Sequence, residues 1–174
     1  MSDSLRSIAA CYYPAMPFLR FLMLLSLIVW LGGLIFFAFG VAPTLFAVLP
    51  TRHMAGSVVQ RSLTTLHWMG IVSGIVFLIA SLIYARMTTG TPHIFAARNV
   101  MIVLMLVLTL VSQFGIMPKM VALRNQMVVI DNVPPTDPAR VEFDSLHVWS
   151  TRVEELVLLL ALVVTYMTAQ VGAR

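Results

Sequence analysis

Six side chains in this sequence have types and spacing that could do chemistry together: His67, Gln113, Met117, His147, Ser150 and Glu154. Each lies within or at the end of a long apolar run, where polar and ionisable groups are costly and turn inward. His67 and His147 stand near the starts of the second and fourth runs, and Glu154 lies about two helical turns beyond His147, with Ser150 between them. Gln113 sits just before the third run ends, with Met117 at its exit. Two histidines on facing helices can ligate a haem iron or a transition metal. Histidine with methionine suits copper. A histidine beside a buried carboxylate relays protons or holds a cationic substrate. The plain alternative places the histidines at headgroup level, bonded to loop backbone or water, with Glu154 paired to Arg61 or Arg152.

Other chemistries lack their motifs. There is no Gly-rich phosphate loop, no cysteine-pair metal motif and no Ser-His-Asp spacing, so binding is favoured over enzymatic activity. The single cysteine, Cys11, excludes an internal disulfide. Ile8-Ala9-Ala10-Cys11 has the outline of a lipoprotein cleavage site but lacks the preceding apolar segment. His53 and His93 read as solvated loop histidines, Trp30, Trp68 and Trp149 as interfacial or packing residues, and the methionines as bundle filler.

The elements that must position the six residues are transmembrane helices. Hydrophobic residues make up 60% of the 174 and charged residues 10%, with a mean hydropathy of +0.95. A soluble domain carries about 25% charged residues. The net charge of +4 comes from basic residues scattered singly at the ends of apolar runs, which excludes a nucleic-acid surface. Four apolar runs predict spans at about 18–46, 63–84, 99–117 and 146–170 in one membrane domain covering 1–174. The expected fold is an all-α integral membrane bundle, four helices running up and down in a bacterial inner membrane. Gly40 and Pro43 predict a kink late in the first helix. Lys119–Ile130 can continue the third helix, and Asp137-Pro138 reads as an N-cap with proline at the first helical position. No internal repeat stands out.

We call the face with both termini and the 85–98 connection side A, and the opposite face side B. Arg6, Arg20, Arg86, Arg98 and Arg174 fall on side A; Arg52, Arg61, Lys119, Arg124, Arg140 and Arg152 fall on side B. That balance does not orient the chain by the positive-inside rule.

Each helix carries one small or polar stripe. Ser26, Trp30, Gly33, Phe37, Gly40 and Thr44 mark the first, and His67, Gly70, Gly74, Phe77, Ser81 and Tyr84 the second. Thr109, Gln113 and Met117 mark the third; His147, Ser150, Glu154, Ala161, Thr165 and Thr168 mark the fourth. The stripes should meet inside the bundle. The plain use of Gly32, Gly33, Gly70 and Gly74 is close helix packing, within the monomer or in a homo-oligomer. The ionisable residues gather toward side B, leaving a dry middle and a dry side-A half.

A resemblance rests on Trp30-Leu31-Gly32-Gly33-Leu34-Ile35-Phe36-Phe37, Ala42-Pro43-Thr44-Leu45-Phe46, His67 with Gly70 and Gly74, Arg98-Asn99, and Phe143-Asp144-Ser145-Leu146-His147 with Ser150. Together these resemble the bacterial four-span proteins grouped with animal transmembrane protein 205, over roughly residues 18–170. The Trp-Gly-Gly segment is also similar to the first span of the copper-resistance protein D family and of the bacterial haem-binding protoporphyrinogen oxidase. Those resemblances imply a copper, haem or porphyrin ligand. The oxidase family ligates haem through a first-span histidine before that segment, and the first helix here has no histidine.

Three functions follow. The leading one is a non-enzymatic membrane protein that binds or passes a small ligand or metal ion at a side-B cavity formed around His67, Gln113, Met117, His147, Ser150 and Glu154. The second is a haem-dependent membrane oxidoreductase using His67 and His147. The third is a structural or partner-binding membrane protein with no ligand site.

Overall fold

A computed structural model describes residues 3–91, 94–127 and 130–170, with side-chain surroundings from Ala15 onward. His93 lies outside the described residues. Four helical rods account for nearly all of them, and among the described residues there is no strand. The first rod is α1 (Asp3–Phe36), a π-helical turn (Phe37–Val41) and α2 (Ala42–Val48). The second is α3 (Arg52–Thr89). The third is α4 (Ala97–Val111), a second π turn (Ser112–Ile116) and α5 (Met117–Met127). The fourth is α6 (Pro138–Gln170).

Each rod is long and apolar enough to cross a membrane. Their outer faces carry Phe21, Ile28, Phe36, Val72, Ile79, Val103 and Leu159, all exposed. An apolar surface of that extent has lipid as its natural solvent. The protein is a multi-pass membrane helical bundle.

The helix ends follow from local chemistry. The 50–62 connection is mostly helix, because Thr51 caps α3 by accepting the Met54 N–H at 3.2 Å. Gly90, at φ 75°, closes α3 at its other end in a conformation that favours glycine. Asp137 caps α6 as expected, accepting the Ala139 N–H at 2.9 Å and the Arg140 N–H at 3.3 Å.

The π turns share a sequence cause. Phe39-Gly40-Val41-Ala42-Pro43 in the first rod and Phe114-Gly115-Ile116-Met117-Pro118 in the third are the same short pattern, a recurrence the sequence reading missed. Neither proline can donate to the carbonyl four residues back, which belongs to the pattern's phenylalanine. The chain widens to a π turn instead, with the Ala42 N–H reaching the Phe37 carbonyl and the Met117 N–H reaching the Ser112 carbonyl.

The rods form a closed ring of neighbours: α1 packs on α3, α3 on α4, α4 on α6, and α6 back on α1. Trp30, Phe77, Met23, Leu27, Ile102, Met105, Val157 and Val164 fill the middle. Trp30 is seated where α3 has no side chains. A Cβ added at Gly70 would lie 2.5 Å from the Trp30 indole nitrogen, and one at Gly74 would lie 2.9 Å from the Trp30 ring and 2.7 Å from Leu106. Gly33 makes the reciprocal space for Leu66 at 2.7 Å. Gly70 and Gly74 are therefore filled inside the monomer and form no outer self-association face. Gly32 faces open space.

Several stripe hydroxyls bond within their own helices. Ser26 donates to Leu22, Thr165 to Ala161 and Thr168 to Val164, all four residues back. The side-A half is not wholly dry, however: buried Ser81 donates to Asn99 Oδ1 at 2.7 Å.

Gly70→Ala should lower stability by about 1–3 kcal/mol, because the methyl overpacks the Trp30 seat. Gly32→Ala should stay within about 0.5 kcal/mol of wild type. Thermal unfolding in detergent measures both, and equal effects at the two positions would contradict the seat.

Candidate functional site

His67 is 2% exposed and bonded on both sides. Its Nδ1 lies 2.7 Å from Gln113 Oε1 and its Nε2 lies 2.7 Å from Glu154 Oε1. Ser112 donates to the same Glu154 oxygen at 3.3 Å. Three rods thus meet through one imidazole. The second π turn permits this. Ile102, Met105, Thr109 and Ser112 face inward at α-helical spacing, and the next buried position is Met117, five residues on. The widened turn lets Ser112 and the adjacent Gln113 both reach the network.

The alternative pairing of Glu154 is corrected by this geometry. Glu154 pairs with His67, while exposed Arg152 pairs with Glu155 at 3.5 Å. The network also suits a proton. Gln113 and Glu154 each offer the ring an oxygen, so a doubly protonated imidazole donates to both. With Nδ1 bare, the Gln113 amide turned end for end donates to it, and Nε2 still donates to Glu154. Both hydrogen bonds are thus compatible with the Nε2–H tautomer and with the doubly protonated ring.

Below this network a cleft of about 860 Å³ opens on side B. On the side-A half α1 packs on both α3 and α6; past the first π turn, α2 keeps to α3. The first and fourth rods diverge there and become the cleft's two side walls. Phe37, Ala38, Phe46 and their neighbours form one wall, and Phe143, His147, Ser150, Thr151, Glu154 and Leu158 form the other. Gln60, Leu63, Met117, Met120 and Arg124 form the back. The lining is largely apolar, with polar groups concentrated toward the side-B end.

The sequence-predicted residues divide accordingly. His67, Gln113 and Glu154 are brought into contact. Ser150 and Met117 are buried along the cleft, with no hydrogen bond joining them to that network. His147 is exposed on the cleft wall, one face with Ser150 and Glu154 but apart from His67. The expected use of His67 and His147 as paired axial ligands does not fit, since both ring nitrogens of His67 are engaged by side chains. Among the described residues no group of three or more His, Cys, Asp or Glu could hold a metal ion. His53 is not a solvated loop histidine: it stands in the first turn of α3, half-buried, with its Nδ1 shielded from solvent, and its backbone N–H donates to Asp131 at 3.1 Å. Trp30 is a packing residue, whereas Trp68 and Trp149 are exposed.

Three functional candidates were missed: Ser112, Gln60 and Arg124. Arg124 is buried at 8% exposure, and its Nη1 donates to Gln60 Oε1 at 2.5 Å. Its Cζ stands 5.3 Å from the Phe143 ring centre. Its signal was present, because Met117, Met120 and Arg124 recur at helical spacing once the third helix is carried past Pro118.

Residues 25–128 match the family described as "Domain of unknown function (DUF4149)". The chain belongs to this family. The match spans the first rod from Leu25 onward and all of the second and third, so His67, Ser112, Gln113 and Arg124 lie within the DUF4149 region and Glu154 lies beyond it. No curated protein and no solved structure matches the chain.

His67→Leu and Glu154→Leu should each destabilise the protein by about 1–3 kcal/mol, by leaving a buried partner unpaired. The double variant should cost less than their sum, with a coupling of about 0.5–3 kcal/mol, while His67→Leu and His147→Leu should add. Copper titrated into wild type and into His67→Ala/His147→Ala should bind both alike; loss of a tight site in the variant would restore these histidines as ligands.

Proposed function

We propose that this DUF4149 protein is a non-enzymatic protein of the bacterial inner membrane that binds or passes a small ligand through the side-B cleft. The observation that carries this reading is the cleft itself. Its volume of about 860 Å³ falls within the roughly 300–1,000 Å³ of ordinary ligand pockets, which combine apolar walls with a few convergent polar groups. Glu154 lines the cleft and belongs to the His67 network, so an occupant reaches a side chain bonded to His67. The resemblance to the four-span proteins grouped with transmembrane protein 205 agrees with a role that needs no catalytic motif. A metal as cargo has less support than an organic ligand, because buried His67 already has two partners.

Cysteine labelling in proteoliposomes tests the cleft. On a Cys11→Ser background, Thr151→Cys should react with a membrane-impermeant maleimide from one side only. Leu159→Cys, exposed on the outer face of the same helix, should not react. Adding Ala38→Trp should slow Thr151→Cys labelling about fivefold by filling the space between the walls. Labelling indifferent to Ala38→Trp would remove the cleft as a site.

A further inference from the structure

Arg124 has no acidic partner among the described residues. A buried cation in a membrane protein is expensive unless something compensates it. Its surroundings supply part of that compensation: the Gln60 carbonyl oxygen at Nη1 and the Phe143 ring at 5.3 Å. Arg124 Nε is buried with no hydrogen-bond partner. The acids that line the cleft, Asp144, Glu154 and Glu155, are otherwise engaged. Asp144 is bridged by Arg140 at 3.1 Å, Glu155 by Arg152 at 3.5 Å, and Glu154 by His67. Arg140 is itself occupied, since it also donates to the Ile130 carbonyl at 2.7 Å.

The space around Arg124 is built for the guanidinium. A Cβ at Gly56 would stand 3.0 Å from Nη2, so α3 carries a glycine where any side chain would crowd it. The guanidinium therefore lines the cleft as a buried planar donor whose charge the protein leaves unmatched. Carboxylate and phosphate oxygens fit that fork. Beyond the polar side-B end, where Arg52, Arg140, Asp144 and Glu155 also line it, the cleft is walled by apolar side chains such as Phe37, Leu63, Met117 and Leu158. Its walls are neighbouring rods of the ring that part toward side B, which leaves a lateral gap between two outer helices beside the side-B mouth.

We propose that the cleft takes an anionic amphiphile from the membrane, with its acidic head on Arg124 and its chain along the apolar walls toward Leu34 and Leu158. Gln60 and Gly56 position the guanidinium and Phe143 backs it. The inference rests on the cleft being a ligand site and adds the sign of the ligand's charge and its source.

The test uses the purified full chain in a neutral detergent at pH 8, with oleate and its uncharged counterpart oleyl alcohol as probes. Wild type should bind oleate saturably and about tenfold more tightly than the alcohol, and Arg124→Gln should lose that preference. Arg124→Lys should retain part of it, because a point charge replaces the fork. Inorganic phosphate at millimolar concentration should not displace oleate. Equal binding of the acid and the alcohol by wild type overturns the proposal without recourse to any variant, while sensitivity of both to Ala38→Trp would keep the cleft as a site. Oleate displaced by phosphate as readily as by unlabelled oleate overturns the membrane source. Binding of neither probe, or binding unmoved by Ala38→Trp, would sink the cleft reading and this proposal together.

Discussion

The seat of Trp30 between Gly70 and Gly74 is the contact on which the other arrangements depend. Helices in lipid gain little from hydrophobic burial against one another, so close packing must hold them together. A glycine notch that admits an indole brings α1 and α3 together along a defined line. That line also sets the depth of His67, which precedes Gly70 by one helical turn. With α3 fixed against α1, the imidazole faces the third and fourth rods, and Gln113 and Glu154 can close on it from both sides. The rods part only beyond the notch, where α2 follows α3 and leaves α6 behind.

A second constraint governs what remains polar. Hydrocarbon offers no hydrogen bonds, so each inward polar group must find a partner in protein. The bundle meets this in two ways. Ser26, Thr165 and Thr168 return their hydroxyls to their own helices. The histidine network and the Ser81–Asn99 pair instead join different rods. Such interhelical bonds are each worth only about 0.6–2 kcal/mol. Their larger effect is on register, because sliding one rod breaks several at once.

Much of this was legible in the residues. Charge-free apolar runs declare membrane helices, and the spacing of His67, Gln113 and Glu154 relative to the helix ends places them at one depth. Contact between them was not legible, because depth does not specify rotation about a helix axis. The rotation of the third rod depends on a π turn, which inserts a residue into the periodic pattern, so a strict three-and-four count cannot step from Ser112 to Met117. His147 shows the converse. It shares a helix face with Glu154, yet lies about two helical turns nearer the mouth, on an open wall. The apolar cleft was also beyond reach, since it arises from the divergence of two rods whose sequences are each ordinary.

The duplicated Phe-Gly-Val/Ile-x-Pro pattern acts as an internal control on its own folding. In the first rod its π turn buries no side chain; in the third it buries Ser112 and sits against the core. Phe37 of the first turn still packs against the core, so the same local geometry forms under lighter and heavier tertiary support, with the pattern as the shared element. It behaves as a portable phase shifter: five residues that advance every following side chain around the helix axis while the rod continues. Families of helical membrane proteins need such a device to change which residues face the interior without rebuilding the loops.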